Sequence, residues 1–387
     1  MSSSNKEKKS KTRFLSPSFK KGAVKETKEE ENNGFKIDLM WAGAEDEDSK
    51  SPSPQKGKRT SGTSTINNPK NKEEKNNIAI LKQCDNENIV NALTNGHVKK
   101  IASHSQPGKG EDGFTKVNQD SFLVIQNEYK LNDFNIFCVM DGHGTNGHLI
   151  SRFVTKYFTS FFRKNKKMNV LSNEDQVYQR LKKNNFDILK RAFHHAERDI
   201  GKSNFDANFS GTTCVMVFQV GDKIICANVG DSRAIMIKND KIIPLSIDQK
   251  PNDPEEEKRI IEHGGEVSQY EEDGEKSGPF RVWKKGEVYP GIAMSRSIGD
   301  LLASTLGVIP EPVFTEETIS DDSNFIVVAS DGVWEFLSNE RVRDIVMPFY
   351  KKNDPDGACK TLIKEATEWW NKEDIVVDDI TVITVFF

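Results

Sequence analysis

The chain has 387 residues, a formal net charge of −4 and a hydrophobic content of 35%. This length allows two or three domains, or one large mixed domain. The small negative charge gives no signal of nucleic-acid binding, and no apolar run approaches the roughly 20 residues that a membrane span requires. We therefore expect no nucleic-acid partner and no membrane span.

The cysteines indicate a reducing compartment. The chain has five, and no two of them form a C-x-x-C pair. Cys138, Cys214 and Cys226 lie inside apolar runs, where thiols behave as small buried hydrophobic groups. An odd, unpatterned set argues against a disulfide framework, and the lysine-rich start of the chain has no hydrophobic signal core. We expect a monomer in the cytoplasm, the nucleus or both.

Composition divides the chain near residue 95. Residues 1–95 are rich in Ser, Lys and Glu, with few branched apolar residues until their last part. Such a segment buries too little apolar surface to offset the entropy of ordering it. We expect a disordered tail over 1–95 that is dispensable for activity, and one folded domain over 96–387.

Apolar runs typical of strands occur along the folded domain. Gly221-Asp222 separates two of them and is a strong hairpin signal. The predicted strands are Phe122–Ile125, Ile136–Met140, Thr212–Val220, Lys223–Val229, Ala234–Ile237, Phe325–Ser330 and Ile380–Phe387.

Helical patterns interrupt these strands. An apolar stripe follows Gly147, and a second helix begins near Ser172 and ends at Gly201. Asp253-Pro254 and Asp354-Pro355 each combine a cap residue with a first-turn proline and begin two more helices. Strand runs with two consecutive helices between them favour an α+β layered sandwich over alternating βαβ units.

Acidic residues follow or precede several of these strands. Ile136–Met140 leads into Asp141-Gly142-His143-Gly144, and Asp231, Asp331 and Asp378 lie at similar junctions. Any one acid could merely open a turn, since Asp and Gly are favoured there. As a set, carboxylates at the ends of strands that could lie side by side indicate a site for Mg²⁺ or Mn²⁺, which favour oxygen ligands.

Seven short motifs occur in the same order as in a known family. The chain resembles the metal-dependent Ser/Thr phosphatase family, also called protein phosphatase 2C, from about Ile101 to Phe387. Each motif alone is weak, and the ordered set is specific. The motifs are Lys116-Val117-Asn118-Gln119-Asp120-Ser121, Asp141-Gly142-His143-Gly144, Ser210-Gly211-Thr212-Thr213, Gly230-Asp231-Ser232-Arg233, Met294-Ser295-Arg296-Ser297-Ile298-Gly299-Asp300, Ser330-Asp331-Gly332-Val333-Trp334 and Asp378-Asp379-Ile380-Thr381-Val382.

The resemblance implies a four-layer α-β-β-α sandwich, in which helices flank two antiparallel sheets and a binuclear metal site lies at one end. It implies two Mg²⁺ or Mn²⁺ ions per active site and a weaker third ion. Asp141 would bridge the two ions, and Asp331 and Asp378 would complete the ligands of the first. The Gly142 carbonyl would contact the second ion, and Asp231 with Asp331 would form the third site.

The resemblance also implies catalytic roles. Asp120 and Gln119 would hold metal-bound waters, and His143 would be the general acid that protonates the leaving alkoxide. The segment 251–291 would form a flap beside the site, where substrate selection is expected. The expected substrates are phosphorylated proteins.

The chemistry can be stated from physical principles. A phosphate monoester is anionic and resists attack by water, so a catalyst must neutralise charge and supply hydroxide near pH 7. Two cations that share one carboxylate can do both, and an imidazole beside them can protonate a poor leaving group. We therefore expect in-line attack by a metal-bridging hydroxide, without a covalent enzyme intermediate.

Two positions depart from the family pattern. Thr115 stands where many members have an arginine that binds the substrate phosphate, and Lys116 could contact the phosphate as a point charge. Gln119 replaces a glutamate and supplies less charge. Asp300 is expected to support its loop, and Arg233 and Arg296 are expected to form structural ion pairs.

Two other functions would leave different sequence patterns. A catalytically silent scaffold with this fold would be signalled by loss of Asp141, Asp331 or Asp378, and all are present. A cysteine-based phosphatase needs a C-x₅-R loop, which does not occur in the sequence. The other large metallophosphatase class needs additional Gly-Asp strings together with an Asn-His-Glu string, and no Asn-His-Glu string occurs.

Overall fold

A computed structural model of the chain describes residues 88–93, 96–127, 131, 133–165 and 170–387. The described strands are β1 (Ile89–Leu93), β2 (Lys100–Gln106), β3 (Ser121–Gln126), β4 (Phe134–Met140), β5 (Gly142–Gly144), β6 (Ser210–Thr212), β7 (Cys214–Val220), β8 (Lys223–Val229), β9 (Arg233–Lys238), β10 (Lys241–Pro244), β11 (Gly265–Glu272), β12 (Glu275–Lys284), β13 (Pro290–Ile292), β14 (Ile298–Gly299), β15 (Val313–Thr318), β16 (Ser323–Ala329) and β17 (Ile380–Phe386). The helices are α1 (Gly147–Lys164), α2 (Glu174–Ile200), α3 (Pro254–Glu262), α4 (Leu301–Ser304), α5 (Asp331–Trp334), α6 (Asn339–Tyr350) and α7 (Pro355–Glu373).

Two large antiparallel sheets form the centre of the domain. One has six strands in the order β1-β2-β17-β16-β9-β10, and the other has five in the order β15-β8-β7-β4-β3. Every predicted strand run is found in these sheets or at their ends. Antiparallel sheets with helices confirm the α+β class.

One hydrophobic core lies between the two sheets. It combines Phe137 and Val217 of the five-stranded sheet with Met236, Ile326 and Ile383 of the six-stranded sheet, all fully buried. Strand side chains alternate between faces, so Phe325 and Val327, the neighbours of Ile326, belong to a different core. Both faces of β16 are therefore covered, which explains its continuous apolar sequence.

Helices pack on the outer faces of both sheets. Leu362 and Ala366 of α7 and Val346 of α6 are buried in the core that contains Phe325 and Val327. On the five-stranded sheet, Phe162 of α1 packs edge-on against Phe218 of β7, with ring centroids 5.5 Å apart. The apolar stripe predicted after Gly147 is thus core packing.

The second predicted helix differs from expectation at its start and centre. Asn173, not Ser172, is the N-cap of α2 and accepts a hydrogen bond of 2.9 Å from the Gln176 N–H. Asparagine caps as well as serine does, so a one-residue shift costs little. The helix is also interrupted at 183–186, where Asn184 and Phe186 have positive φ.

The expected start of the folded domain is corrected. The domain was expected to start at 96, but β1 lies before that point and pairs with β2. The rest of the expected tail lies outside the described residues. Within the expected flap segment, β11 and β12 form a β-hairpin, paired from Gly265↔Lys284 to Glu272↔Glu275.

The described cysteines Cys138, Cys214, Cys226 and Cys359 are free and buried, as the apolar context of the first three predicts. Within the described part of the chain, no helix combines the length and apolarity that crossing a bilayer requires.

Candidate active site

The strand-end acids come together at one end of the two large sheets. Asp120 precedes β3 and Asp141 follows β4, and these strands are antiparallel neighbours, so both acids lie at the same sheet edge. Asp331 follows β16 after one residue and Asp378 precedes β17, another antiparallel pair. Asp231 follows β8 and completes the set, which we call the acidic cluster.

Electrostatics shows how closely these carboxylates interact. Burial raises the pKa of Asp141, and the charges of Asp331 and Asp120 raise it further. Burial also raises the pKa of Asp331 to about 7, with added repulsion from Asp378 and Asp231. Because each acid disfavours ionisation of the next, the cluster is stabilised by a positive charge placed among them.

The acidic cluster suits hard cations. Asp120 Oδ1, Asp231 Oδ1 and Asp331 Oδ1 are buried without a hydrogen-bond partner. Orphaned carboxylate oxygens in an all-oxygen donor set are the ligands that Mg²⁺ and Mn²⁺ favour. Among the residues that the structure describes, no three His, Cys, Asp or Glu side chains stand at ligand spacing around one point.

Lysines contact two members of the cluster. Lys116 Nζ lies 2.5 Å from Asp378 Oδ1 and 3.7 Å from Asp379 Oδ2. Lys250 Nζ lies 2.6 Å from Asp231 Oδ2. Burial lowers the pKa of each lysine, but the neighbouring carboxylates outweigh it and raise both pKa values. Both ammonium groups therefore stay charged inside the cluster.

Asp141 is held in place through its backbone. Its carbonyl accepts hydrogen bonds from the Thr213 N–H at 2.9 Å and from Thr212 Oγ1 at 3.0 Å. Its own N–H donates to Thr213 Oγ1 at 3.0 Å. These bonds explain the threonine pair of the Ser210–Thr213 motif, which fixes the end of β4 without using the Asp141 side chain.

Gly142 lies where a side chain has no room. A Cβ on this residue would be 2.5 Å from both the Gln119 and the Gly147 carbonyl oxygens. Only glycine allows β5 to pass this close to two backbone segments. The Gly142 backbone therefore lies at the junction of Gln119, Asp141 and the start of α1.

The Gln119 side chain is used structurally in this arrangement. Its Nε2 donates a hydrogen bond of 2.7 Å to the Gly144 carbonyl oxygen. A glutamate carboxylate could not donate this hydrogen bond, which gives a structural reason for glutamine at position 119. Gln119 lies next to Asp120 at the acidic cluster, and the Nε2 half of its amide is already engaged.

Two supporting residues were missed in the sequence. Asp379 is 3% exposed and accepts hydrogen bonds from the Gly108 N–H at 2.7 Å and the Gln119 N–H at 2.9 Å. Ser330 Oγ donates to Asp120 Oδ2 at 2.8 Å. The available signal was the acidic pair Asp378-Asp379 directly before β17, where only Asp378 had been given a role.

His143 lies beside the cluster and is bonded to Asp300. Its Nε2 is 2.6 Å from Asp300 Oδ2, and its Nδ1 is buried without a partner. Burial lowers the pKa of His143, but the Asp300 carboxylate more than offsets this and raises it. Asp300 was expected to support its loop, and it also contacts the imidazole directly.

The two arginines form structural ion pairs, as expected. Arg233 lies 2.6 Å from Asp248 and its guanidinium lies over the Trp334 ring. Arg296 lies 2.6 Å from Glu256, which also binds Arg259. Neither arginine contacts the acidic cluster through these bonds.

Comparisons with known proteins agree with this architecture. The family model described as protein phosphatase 2C matches residues 107–375. A probable protein phosphatase 2C 35 of Arabidopsis thaliana is 34% identical over 300 residues, which cover 73% of this chain and 82% of that protein. A probable protein phosphatase 2C 34 of the same plant is 34% identical and covers 72% of this chain and 78% of its own length. A solved serine-threonine phosphatase 2C from Toxoplasma gondii has the same fold, with a TM-score of 0.62, 19% identity, and coverage of 78% of this chain and 98% of that one.

Proposed function

The chain belongs to the protein phosphatase 2C family, whose members are protein Ser/Thr phosphatases, and we propose that it removes phosphate from phosphoserine and phosphothreonine in protein substrates. The observation that carries the proposal is the acidic cluster, in which buried carboxylate oxygens without partners lie beside a histidine. The cluster binds Mg²⁺ or Mn²⁺, and the cations neutralise phosphate charge and make water acidic near pH 7.

Each member of the cluster has a proposed place. Asp141 would be shared by two cations, Asp331 and Asp378 would hold the first, and the Gly142 carbonyl would contact the second. Asp231 with Asp331 would hold a weaker third cation, which would have to displace Lys250 Nζ, 2.6 Å from Asp231. We thus propose a binuclear site at one end of a four-layer α-β-β-α sandwich.

The remaining residues act on water, on the phosphate and on the leaving group. Asp120 and Gln119 orient water at the site, where one Asp120 oxygen is held by Ser330 and the other is free. Lys116 contacts the substrate phosphate from its position beside Asp378. His143 donates a proton to the leaving serine or threonine oxygen. Hydroxide attacks phosphorus in line with that oxygen, and no covalent enzyme intermediate forms.

The test measures phosphate release from a phosphothreonine peptide by the full-length protein with Mn²⁺, with Mg²⁺ and with EDTA. We expect cation-dependent turnover that is abolished in Asp141→Asn and slowed about 100-fold or more in His143→Ala. Matched controls are Asp222→Asn, in the exposed β7–β8 turn, and His104→Ala, which removes a buried histidine paired with Asp356. Folded protein without turnover under either cation would instead support a catalytically silent scaffold.

A further inference from the structure

The orientation of the His143 ring is determined by one carboxylate. Asp300 Oδ2 lies 2.6 Å from Nε2, while Nδ1 is buried and has no hydrogen-bond partner. We propose that Asp300 is a positioning residue for His143, and that it makes Nδ1, not Nε2, the ring nitrogen that acts on the leaving group. The inference rests on the proposed phosphatase function.

Asp300 is itself rigidly held. Its Oδ2 also accepts a hydrogen bond of 2.6 Å from Ser297 Oγ, and its N–H donates to the Ser210 carbonyl at 2.8 Å. A Cβ on Gly211 would lie 2.0 Å from Asp300 Oδ2. The pairing of β6 with β14 therefore needs glycine at this point in order to admit the carboxylate. These contacts fix the acceptor that aligns the imidazole.

The free nitrogen of His143 belongs to a ring that interacts with the acidic cluster. The charges of Asp231 and Asp331 act on the imidazole in addition to that of Asp300. A carboxylate that accepts from one ring nitrogen keeps the proton there and selects the tautomer. The second proton of the imidazolium is therefore on Nδ1, the nitrogen that no other group engages.

The proton transfer balances without another reagent. As the phosphorus–oxygen bond breaks, the Nδ1 proton passes to the serine or threonine oxygen, and a new O–H bond forms. The ring becomes neutral and keeps its other proton on Nε2, which stays hydrogen-bonded to Asp300. Water then returns a proton to Nδ1. Asp300 holds the ring through this hydrogen bond before and after the transfer.

A second acidic residue, Glu197, lies close enough to Asp300 for the charge of Asp300 to act on it. Burial raises the pKa of Glu197 to about 8, and the charge of Asp300 contributes to this shift. Glu197 is therefore mostly neutral near pH 7 and adds little negative charge beside the carboxylate that holds the ring.

Leaving-group dependence tests the proposal. Serine and threonine alkoxides need protonation, whereas p-nitrophenolate leaves without it. We expect Asp300→Asn to lower kcat for a phosphothreonine peptide about 100-fold or more, within the range of general acid catalysis, and to change kcat for p-nitrophenyl phosphate less than about 3-fold. Asp356→Asn is the matched control, because Asp356 also lies 2.6 Å from a histidine Nε2, that of His104. An equal loss with both substrates would overturn the proposal.

A double variant separates positioning from a merely structural role. If Asp300 acts through His143, then adding Asp300→Asn to His143→Ala lowers peptide turnover by no more than about 3-fold, because the coupled residues are not additive. Calorimetric titration of Mn²⁺ into each variant should give wild-type affinity. Multiplicative losses would contradict the proposal.

The wild-type protein offers a test that needs no variant to fold. With ¹⁵N-histidine labelling, we expect a downfield, slowly exchanging proton on Nε2 of His143. Its absence, or its presence on Nδ1, would overturn the assigned orientation. Loss of the proposed function would look different, since the wild type would then hydrolyse neither substrate while this resonance was still observed.

Discussion

Two lysines make the acidic cluster less negative than its sequence suggests. Lys116 contacts Asp378 and Lys250 contacts Asp231, so two of the five carboxylates already have a cationic partner. A buried carboxylate that loses such a partner becomes costly to keep ionised. These ammonium groups therefore stabilise the cluster until a metal cation or the anionic phosphate of a substrate binds there.

Replacement of Lys116 should weaken substrate binding. We expect Lys116→Met to raise KM for a phosphopeptide about 10-fold, because about 1.4 kcal/mol of charge-assisted contact with the phosphate is lost. Lys109→Met, which changes an exposed lysine nearby, should leave KM unchanged. Steady-state kinetics at saturating Mn²⁺ measures both. An unchanged KM in Lys116→Met would remove this residue from the phosphate site.

The junction of β5 and α1 depends on a close backbone approach. We expect Gly142→Ala to lower the free energy of unfolding by about 2 kcal/mol or more, because its Cβ would collide with two carbonyl oxygens. Gly201→Ala is the matched control, since Gly201 has φ −61 and a Cβ there finds its nearest atom at 3.5 Å. Urea denaturation followed by circular dichroism compares them. Equal stability of both variants would contradict the steric argument.

Helix α3 is joined to the loop before β14 by one buried carboxylate. Glu256 binds Arg259 and Arg296 and accepts a hydrogen bond of 2.6 Å from Ser295 Oγ. Burial raises the pKa of Glu256, but these partners outweigh it and lower the pKa to about 2. A depressed carboxyl pKa stabilises the fold above the unfolded-state value, and this stability disappears as pH falls through the folded value.

Glu256→Gln should therefore alter the pH dependence of stability. We expect the variant to be less stable than wild type at pH 7 by about 3 kcal/mol, and the difference to shrink as pH falls from about 4.5 to about 2. Glu255→Gln changes an exposed residue in the same helical turn and should have little effect at any pH. Denaturation across this pH range measures the difference, and a constant gap would count against the ion cluster as its source.

At the scale of the whole domain, the buried strands could be predicted because their apolar runs reflect two covered faces. The polar strands of the β11–β12 hairpin could not, since most of its residues are partly or fully exposed and only its base, through Val267 and Val282, packs in a core. Strand β2 was missed for a different reason. Its Ser103 and His104 are buried, and His104 is satisfied by Asp356, a partner 252 residues away.

The candidate site was predictable only in part. Acids at strand ends can be assigned to one sheet edge, because the end of one strand lies beside the start of its antiparallel neighbour. The sequence carries no signal that Asp300 reaches His143 across 157 positions, or that Lys250 contacts Asp231. These pairs depend on how loops return to the sheet edge, which hydrophobic periodicity does not encode.

The domain boundary leads to a prediction about truncation. We expect a protein that starts at residue 88 to match full-length turnover, because the composition before that point gives no core. A protein that starts at 96 loses β1, leaves β2 as an edge strand and should unfold at lower urea concentration. Turnover and denaturation of the three proteins measure this. Equal stability of the two shorter proteins would show that β1 contributes nothing.

Strand β17 lies between β2 and β16 in the middle of its sheet, and Asp378 lies two residues before the strand begins at Ile380. During translation, a nascent chain that has not yet released residues 380–386 from the ribosome lacks the strand that joins β2 to the rest of the sheet. Asp378 is synthesised just before that strand and lies beside it in the folded domain. Closure of the six-stranded sheet and assembly of the acidic cluster therefore depend on the same short segment, and a ribosome stalled before Asp378 carries a chain that lacks both.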